Sequence, residues 1–296
     1  MLIGFKTIFR SLVTAVAVTV TLAVAPTVHA QEKKTIRIGW TAWSDAEAVT
    51  NIAKQILEQR LGYKVELMMT DIGLQYQGVA KGNLDIMLMS WLPNTHKAYW
   101  DKLSTEVVDM GILYDNAKLG WAVPDYIPVS EVKSIEDLKK PGVREKFKSQ
   151  IQGIDPGAGL MQASERALKT YELDGYKLQT GSDAGMIVAL DRAMKRNEWI
   201  AVTTWTPHWM FSKYKIRYLE DPKLALGGAE AIHAVARKGF EKDFPKAAGF
   251  IKNFKISIAD LEGIMSKAKD SSYDKEATAY IKANPDTVNK WLANAK

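Results

Sequence analysis

Residues 35–89 read TIRIGWTAWSDAEAVTNIAKQILEQRLGYKVELMMTDIGLQYQGVAKGNLDIMLM, and their apolar spacing alternates between strand and helix periods. Thr35–Trp40 alternates residue by residue, as a half-buried strand does. Ser44-Asp45-Ala46-Glu47 has the spacing of a capping box, and Val49, Ile52, Ala53, Ile56 and Leu57 then share one helical face. Gly62 supplies a stop and Tyr63–Met69 a second strand. A helix over residues 72–82 leads into Leu84–Met89, an unbroken apolar run of the kind found in strands covered on both faces. Strand, helix, strand, helix, strand is an α/β unit with a parallel sheet. Ligands of such sheets sit beyond the carboxyl ends of the strands.

Toward the N-terminus, Lys6 and Arg10 form a short basic region ahead of the apolar run Ser11–Ala25, and Val28-His29-Ala30 offers a cleavage site. Residues 1–30 are therefore expected to be a signal peptide, too short for a comfortable membrane span, with the mature protein in the periplasm. Toward the C-terminus the α/β pattern restarts after Pro124. A short helix opens at Ser134, a strand runs over Gln150–Ile154, helices follow at 159–173 and 183–195, and a strand spans Trp199–Thr204. From about Ala229 the chain is mainly helical, with Asn284-Pro285 starting the last helix. The expected architecture is two α/β lobes, each a mainly parallel sheet flanked by helices and joined by two crossovers that form a hinge. Lobe 1 is discontinuous, residues 31–122 plus 220–296, and lobe 2 is residues 123–219.

The 296 residues are 47% hydrophobic and 25% charged, the balance of a globular protein, which excludes a disordered chain, a collagen-like repeat and a polytopic membrane protein. With no cysteine, disulfides, thiolate metal sites and a cysteine nucleophile are excluded. The net charge of +6 is interspersed along the chain, so no nucleic-acid partner is expected. Nine tryptophans are more than this length calls for.

Four segments at expected strand ends are rich in tryptophan or glycine: residues 39–45 (GWTAWSD), 90–96 (SWLPNTH), 153–161 (GIDPGAGLM) and 204–209 (TWTPHW). Trp43, Trp91 and Trp205 lie there among Ser, Thr, Pro and Asn, just past strands. Trp40, Trp100, Trp121, Trp199 and Trp291 are expected in packing roles. Aromatic faces suit a quaternary ammonium, which has no N–H to donate, at about 0.5–2 kcal/mol per face. Three faces fall short of the roughly 8 kcal/mol of micromolar binding, so a second anchoring group is needed. The turn 155–159, opening a helix at Gly159, offers the free N–H groups of Gly159 and Leu160 to an anion, and His96 is placed to donate to the same carboxylate. Asp45 reads as a counter-charge or a helix-dipole partner. His208 and Trp209 are expected to pack under the cage, and Tyr76, Tyr114 and Tyr126 are further aromatic candidates.

SWLPNTH at 90–96, GIDPGAG at 153–159 and TWTPHWMF at 204–211 resemble the glycine betaine-binding proteins of ABC importers, over essentially the whole chain from about Lys34. The resemblance implies the two-lobed periplasmic binding protein fold of type II, which closes around its ligand. By motif match it implies a cation cage of Trp43, Trp91 and Trp205, and carboxylate contacts from Gly159, Leu160 and His96. It implies no cofactor and no metal, a betaine-type ligand, a membrane permease with its ATPase as partner, and a monomer. The lipid-anchoring cysteine of Gram-positive members is missing, which points to a soluble periplasmic form. Other methylated onium ligands (dimethylsulfoniopropionate, carnitine, choline) stand as alternatives. A rival enzyme class, such as a choline esterase, lacks a Gly-x-Ser-x-Gly elbow, a His-Glu-x-x-His motif and a phosphate-binding loop in this sequence.

Overall fold

The alternation at the start of the decisive stretch forms strand β1 (Thr35–Trp40), and the helical face after it forms α1 (Ser44–Gln59). The computed structural model describes Met1 and residues 34–295, so the expected signal peptide over residues 1–30 lies, save Met1, outside the described residues. The run continues as expected with β2 (Lys64–Met69), α2 (Ile72–Ala80) and β3 (Ile86–Leu92). It is followed by α3 (Lys97–Leu103) and an 18-residue strand, β4 (Val107–Pro124). The middle of the chain adds α4 (Val143–Lys146), β5 (Gln150–Gln152), α5 (Gly159–Thr170), β6 (Lys177–Gln179), α6 (Asp183–Arg196), β7 (Val202–Thr206), α7 (Met210–Lys213) and β8 (Ile216–Tyr218). Strand β9 (Glu230–Arg237) precedes a helical tail of α8 (Phe240–Asp243), α9 (Pro245–Asn253), α10 (Ile258–Ala268), α11 (Tyr273–Ala283) and α12 (Pro285–Trp291).

Strand order is β2-β1-β3-β9-β4-β7-β5-β6, with β8 also on β4. The outer ladders β2-β1-β3 and β7-β5-β6 are parallel, and the ladders involving β4 and β9 are antiparallel. The fold is thus mixed α/β, with two parallel sets at its ends. Strand β4 belongs to both parts of the sheet: Val107–Ala117 pair with β9, whereas Lys118–Ala122 pair with β7. The change of partner falls between Ala117, opposite Glu230, and Lys118, opposite Thr206.

Helix α1 buries Val49, Ile52, Ala53, Ile56 and Leu57, the face its periodicity marks, each large side chain contributing about 1.5–3 kcal/mol by leaving water. Beside it, the buried Asp85 carboxylate accepts from Arg37 Nε at 2.9 Å and from Arg237 Nε at 2.8 Å, tying β1 to β9 through the segment before β3. Burial pushes the Asp85 carboxyl up, but the two guanidinium groups outweigh it and hold it below the usual carboxylate range.

Two local expectations are corrected. No capping box forms at Ser44: α1 starts at Ser44 itself with Trp43 as N-cap, because the Ser44 hydroxyl is engaged by Asp183 from 139 residues away. Trp91 and Trp205 do not follow their strands but lie inside them. The ladders run on to pair Trp91 with Ile232 and Trp205 with Leu119, so β3 and β7 end two or three residues later than hydropathy indicated.

Candidate ligand-binding site

Each of the three tryptophans is pinned by its indole N–H. Trp43 Nε1 donates to Asp155 Oδ1 at 2.8 Å, Trp91 Nε1 to Met89 Sδ at 3.3 Å, and Trp205 Nε1 to Asp45 Oδ1 at 3.1 Å. A buried indole needs such a partner, and meeting it at the ring edge fixes the ring while leaving its π faces free. Two of the partners are carboxylates, so negative charge stands behind the rings, which favours a cation in front of them. Asp45 is fully buried and also accepts from Tyr114 Oη at 2.6 Å. Burial pushes its carboxyl up to about 6, against the hydrogen bond from Tyr114, the His208 ring and the Trp205 N–H.

His96 stands at the N-cap of α3, wholly inside the protein. The Trp91 backbone N–H donates to its Nδ1 at 3.0 Å, which fixes the neutral tautomer with the proton on Nε2. Burial lowers its pKa to about 3, so the ring is an uncharged donor at ordinary pH. Among the described residues Nε2 has no acceptor within hydrogen-bond reach. At α5, Met161 and Gln162 N–H both turn back to Ala158 O, at 3.0 and 3.2 Å. The N–H groups of Gly159 and Leu160 precede the first intrahelical acceptor and have no acceptor among the described residues.

All six residues singled out from the sequence, Trp43, Trp91, Trp205, Gly159, Leu160 and His96, line one cavity, with Thr95, Ile154 and Ala158 completing the wall. Three indoles and three unused N–H donors make the cavity complementary to a ligand with a soft cation at one end and an anion at the other.

His208 packs against Trp205, and Trp209 packs against His208 with ring centroids 5.6 Å apart. The His208 ring meets the Trp205 ring edge-on at 4.7 Å, and Trp209 Nε1 donates to Ser44 Oγ at 3.1 Å. Here Ser44, Asp183 and His208 come together, but not as a nucleophilic triad. Both Asp183 Oδ1 (3.0 Å) and Ser44 Oγ (3.4 Å) face His208 Nε2, while Met210 N–H donates to Nδ1. A triad needs its carboxylate on the nitrogen opposite the serine. Of the tyrosines, Tyr114 holds Asp45 and Tyr76 sits edge-on to His96, whereas Tyr126 reaches Ala193 O and Glu198 O instead. Trp121 and Trp291 are fully packed, and Trp40, Trp100 and Trp199 are half-buried.

Residues 34–283 match the family model of the substrate binding domain of ABC-type glycine betaine transport systems, OpuAC. The chain belongs to this family. A glycine betaine/carnitine transport binding protein, GbuC, of Listeria monocytogenes serotype 1/2a (strain 10403S) is 39% identical over 193 residues, 64% of this chain and 61% of the relative's length. The chain thus spans less than two thirds of that relative. Among solved structures, lactococcal OpuAC in its closed-liganded conformation with glycine betaine is 36% identical, with a TM-score of 0.81 over 88% of this chain and 100% of that one. An ABC-transporter choline binding protein in complex with choline is 26% identical, with a TM-score of 0.80 over 88% of this chain and 91% of that one. The likeness confirms the type II periplasmic binding protein fold.

Sequence reasoning passed over Asp155 and Thr95 as functional residues, although both lie inside quoted motifs, and it missed Asp183, Ser44 and Met89. No local pattern marks Asp183, which reads as an ordinary first-turn acid of α6.

Proposed function

We propose that the protein captures glycine betaine, or a closely related compatible solute, in the periplasm and delivers it to the membrane permease of an ABC importer. In this reading the trimethylammonium group sits among Trp43, Trp91 and Trp205, and the carboxylate accepts from Gly159 N–H, Leu160 N–H and His96 Nε2–H. Residues 31–122 with 220–296 would form one lobe and residues 123–219 the other, each holding part of the ligand so that binding favours the closed form.

The observation that carries the reading is the pairing, in one cavity, of three indoles with three N–H donors that have no acceptor among the described residues. Buried donors left unpaired cost about 1–3 kcal/mol each, and a carboxylate relieves all three. A neutral His96 adds no positive charge beside the cage, so the ligand cation meets no repulsion there. Choline has only a hydroxyl to offer the donors and leaves most of them unpaired. The Ser44, Asp183 and His208 arrangement supports binding rather than ester hydrolysis.

Titration calorimetry of the refolded, ligand-free protein against glycine betaine, carnitine, dimethylsulfoniopropionate and choline tests the proposal. The carboxylated ligands are expected to bind tighter than choline by about tenfold or more, one unpaired buried donor being worth 1–3 kcal/mol. Tighter binding of choline than of every carboxylated ligand would overturn the anchor assigned to Gly159, Leu160 and His96.

A further inference from the structure

Glu230 is a buried carboxylate with no part in the cage, and among the described residues it forms no salt bridge. It opens β9, where Ala231 pairs with Leu92 and Ile232 with Trp91, so the sheet register sets it at the end of β3, below the loop that carries His96. There its Oε2 accepts from the backbone N–H of Asn94 at 2.7 Å and of Thr95 at 2.9 Å, and its Oε1 accepts from Thr95 Oγ1. Three donors converge on one carboxylate, and all three belong to the two residues ahead of His96.

Thr95 is also the point where this loop meets the other donors. A methyl group placed on Gly159 would come to 2.5 Å from both Thr95 O and Thr95 Cγ2, and to 3.0 Å from His96 Cδ2. The position of Thr95 therefore sets the spacing between His96 Nε2–H on one side and the Gly159 and Leu160 N–H groups on the other. A carboxylate ligand has to meet all of them within hydrogen-bond distance at once, and displacements of well under 1 Å matter to such bonds.

We infer that Glu230 is a positioning residue for anion recognition: from β9 it clamps Asn94 and Thr95 and so fixes the register of His96 against the N-terminus of α5. The inference rests on the carboxylate reading given above. It acts on only one end of the ligand, because the ring partners of the cage (Asp155, Met89 and Asp45) do not involve Glu230. Glu230→Gln keeps the volume but removes the charge and one of the two acceptor oxygens, so the Asn94 and Thr95 N–H groups and the Thr95 hydroxyl no longer all meet a carboxylate.

The test compares two probes that share a cationic head, glycine betaine and tetramethylammonium, the second having no carboxylate. Wild-type protein and Glu230→Gln are titrated with each, with thermal unfolding of the ligand-free forms alongside. The expected result is a loss of tenfold or more in glycine betaine affinity with tetramethylammonium affinity changed less than twofold, so that the ratio of the two collapses. Equal losses for both probes, the signature of a merely structural role, would overturn the inference, as would no loss for either. If Glu230→Gln does not fold, Glu230→Asp, which keeps the charge but shortens its reach by one methylene, carries the same comparison, with the same outcomes on each side. Wild-type protein that binds both probes equally would overturn the carboxylate reading and this inference with it, and that failure shows before any substitution is made.

Discussion

At the scale of single residues, the cavity depends on side chains whose polar atoms are already committed elsewhere. With their N–H groups fixed, Trp43, Trp91 and Trp205 have only their rings to offer a ligand. Alanine at any one of them is expected to weaken glycine betaine binding about 2–30-fold, the equivalent of one cation–π face, in a fluorescence or calorimetric titration. Unchanged affinity in all three would contradict the cage. His96 makes a prediction about stability. Its pKa is about 3 in the folded protein and near 6.5 unfolded, so below pH 6.5 the unfolded chain gains a proton that the native ring refuses. The stability associated with a neutral His96 is complete above pH 6.5 and is lost as the pH falls toward 3, at about 1.4 kcal/mol per pH unit. Denaturant unfolding of wild type and His96→Asn between pH 7 and pH 4 should show the wild type losing stability faster by that slope. Parallel pH profiles would place His96 in a solvated, protonatable setting.

At the scale of elements, what was legible in the sequence was local. The β1–α1–β2–α2–β3 run was readable because each element repeats its own period, and the three motifs because their tryptophans, prolines and glycines stand within seven or eight residues of one another. Strand β4 was not readable. Asp109, Asp115, Asn116 and Lys118 interrupt its alternation, and its pairing with β9 shifts register near Gly111 and again between Tyr114 and Ala117. Asp183 and Glu230 were invisible for another reason, since each acts on a partner more than 130 residues away. The start of α5 shows how an element carries function. Gly159 supplies a free N–H, yet it is also where α5 touches the Thr95–His96 loop so closely that no side chain fits. Gly159→Ala is accommodated by the helix, where alanine is the better former by about 1 kcal/mol, but not by that contact. Its expected phenotype is lowered thermal stability without ligand, because the Thr95–His96 loop or α5 must shift, together with a loss of glycine betaine binding beyond tenfold. Wild-type affinity would show that the contact gives way freely.

At the scale of the whole molecule, hydrogen bonds link the two proposed lobes independently of any ligand, and two of them join Asp183 to Ser44. The Asp183 Oδ2 accepts from Ser44 N at 3.1 Å and Ser44 Oγ at 2.7 Å across the two, while its Oδ1 accepts from His208 Nε2 at 3.0 Å within its own lobe. The carboxylate lies in the first turns of both α1, through Ser44 N–H, and α6, its own helix, so it screens two positive helix ends that would otherwise repel as the lobes meet. In the proposed two-lobe reading this contact belongs to the closed form alone, whatever the ligand. Removing it raises the free energy of the closed state and weakens every ligand by the same factor, because ligands bind in proportion to the population of that state. Charge-assisted bonds are worth about 1.5–3 kcal/mol, so Asp183→Asn should lower affinity roughly 10–100-fold. Glycine betaine and tetramethylammonium should lose equally, which separates this substitution from Glu230→Gln, where only the carboxylated ligand is expected to suffer. A selective loss of glycine betaine in Asp183→Asn would mean that Asp183 shapes the anion site rather than the closure. Small-angle scattering of the ligand-free variant, more extended than the wild type if the contact holds the closed form, checks the same assignment without any ligand.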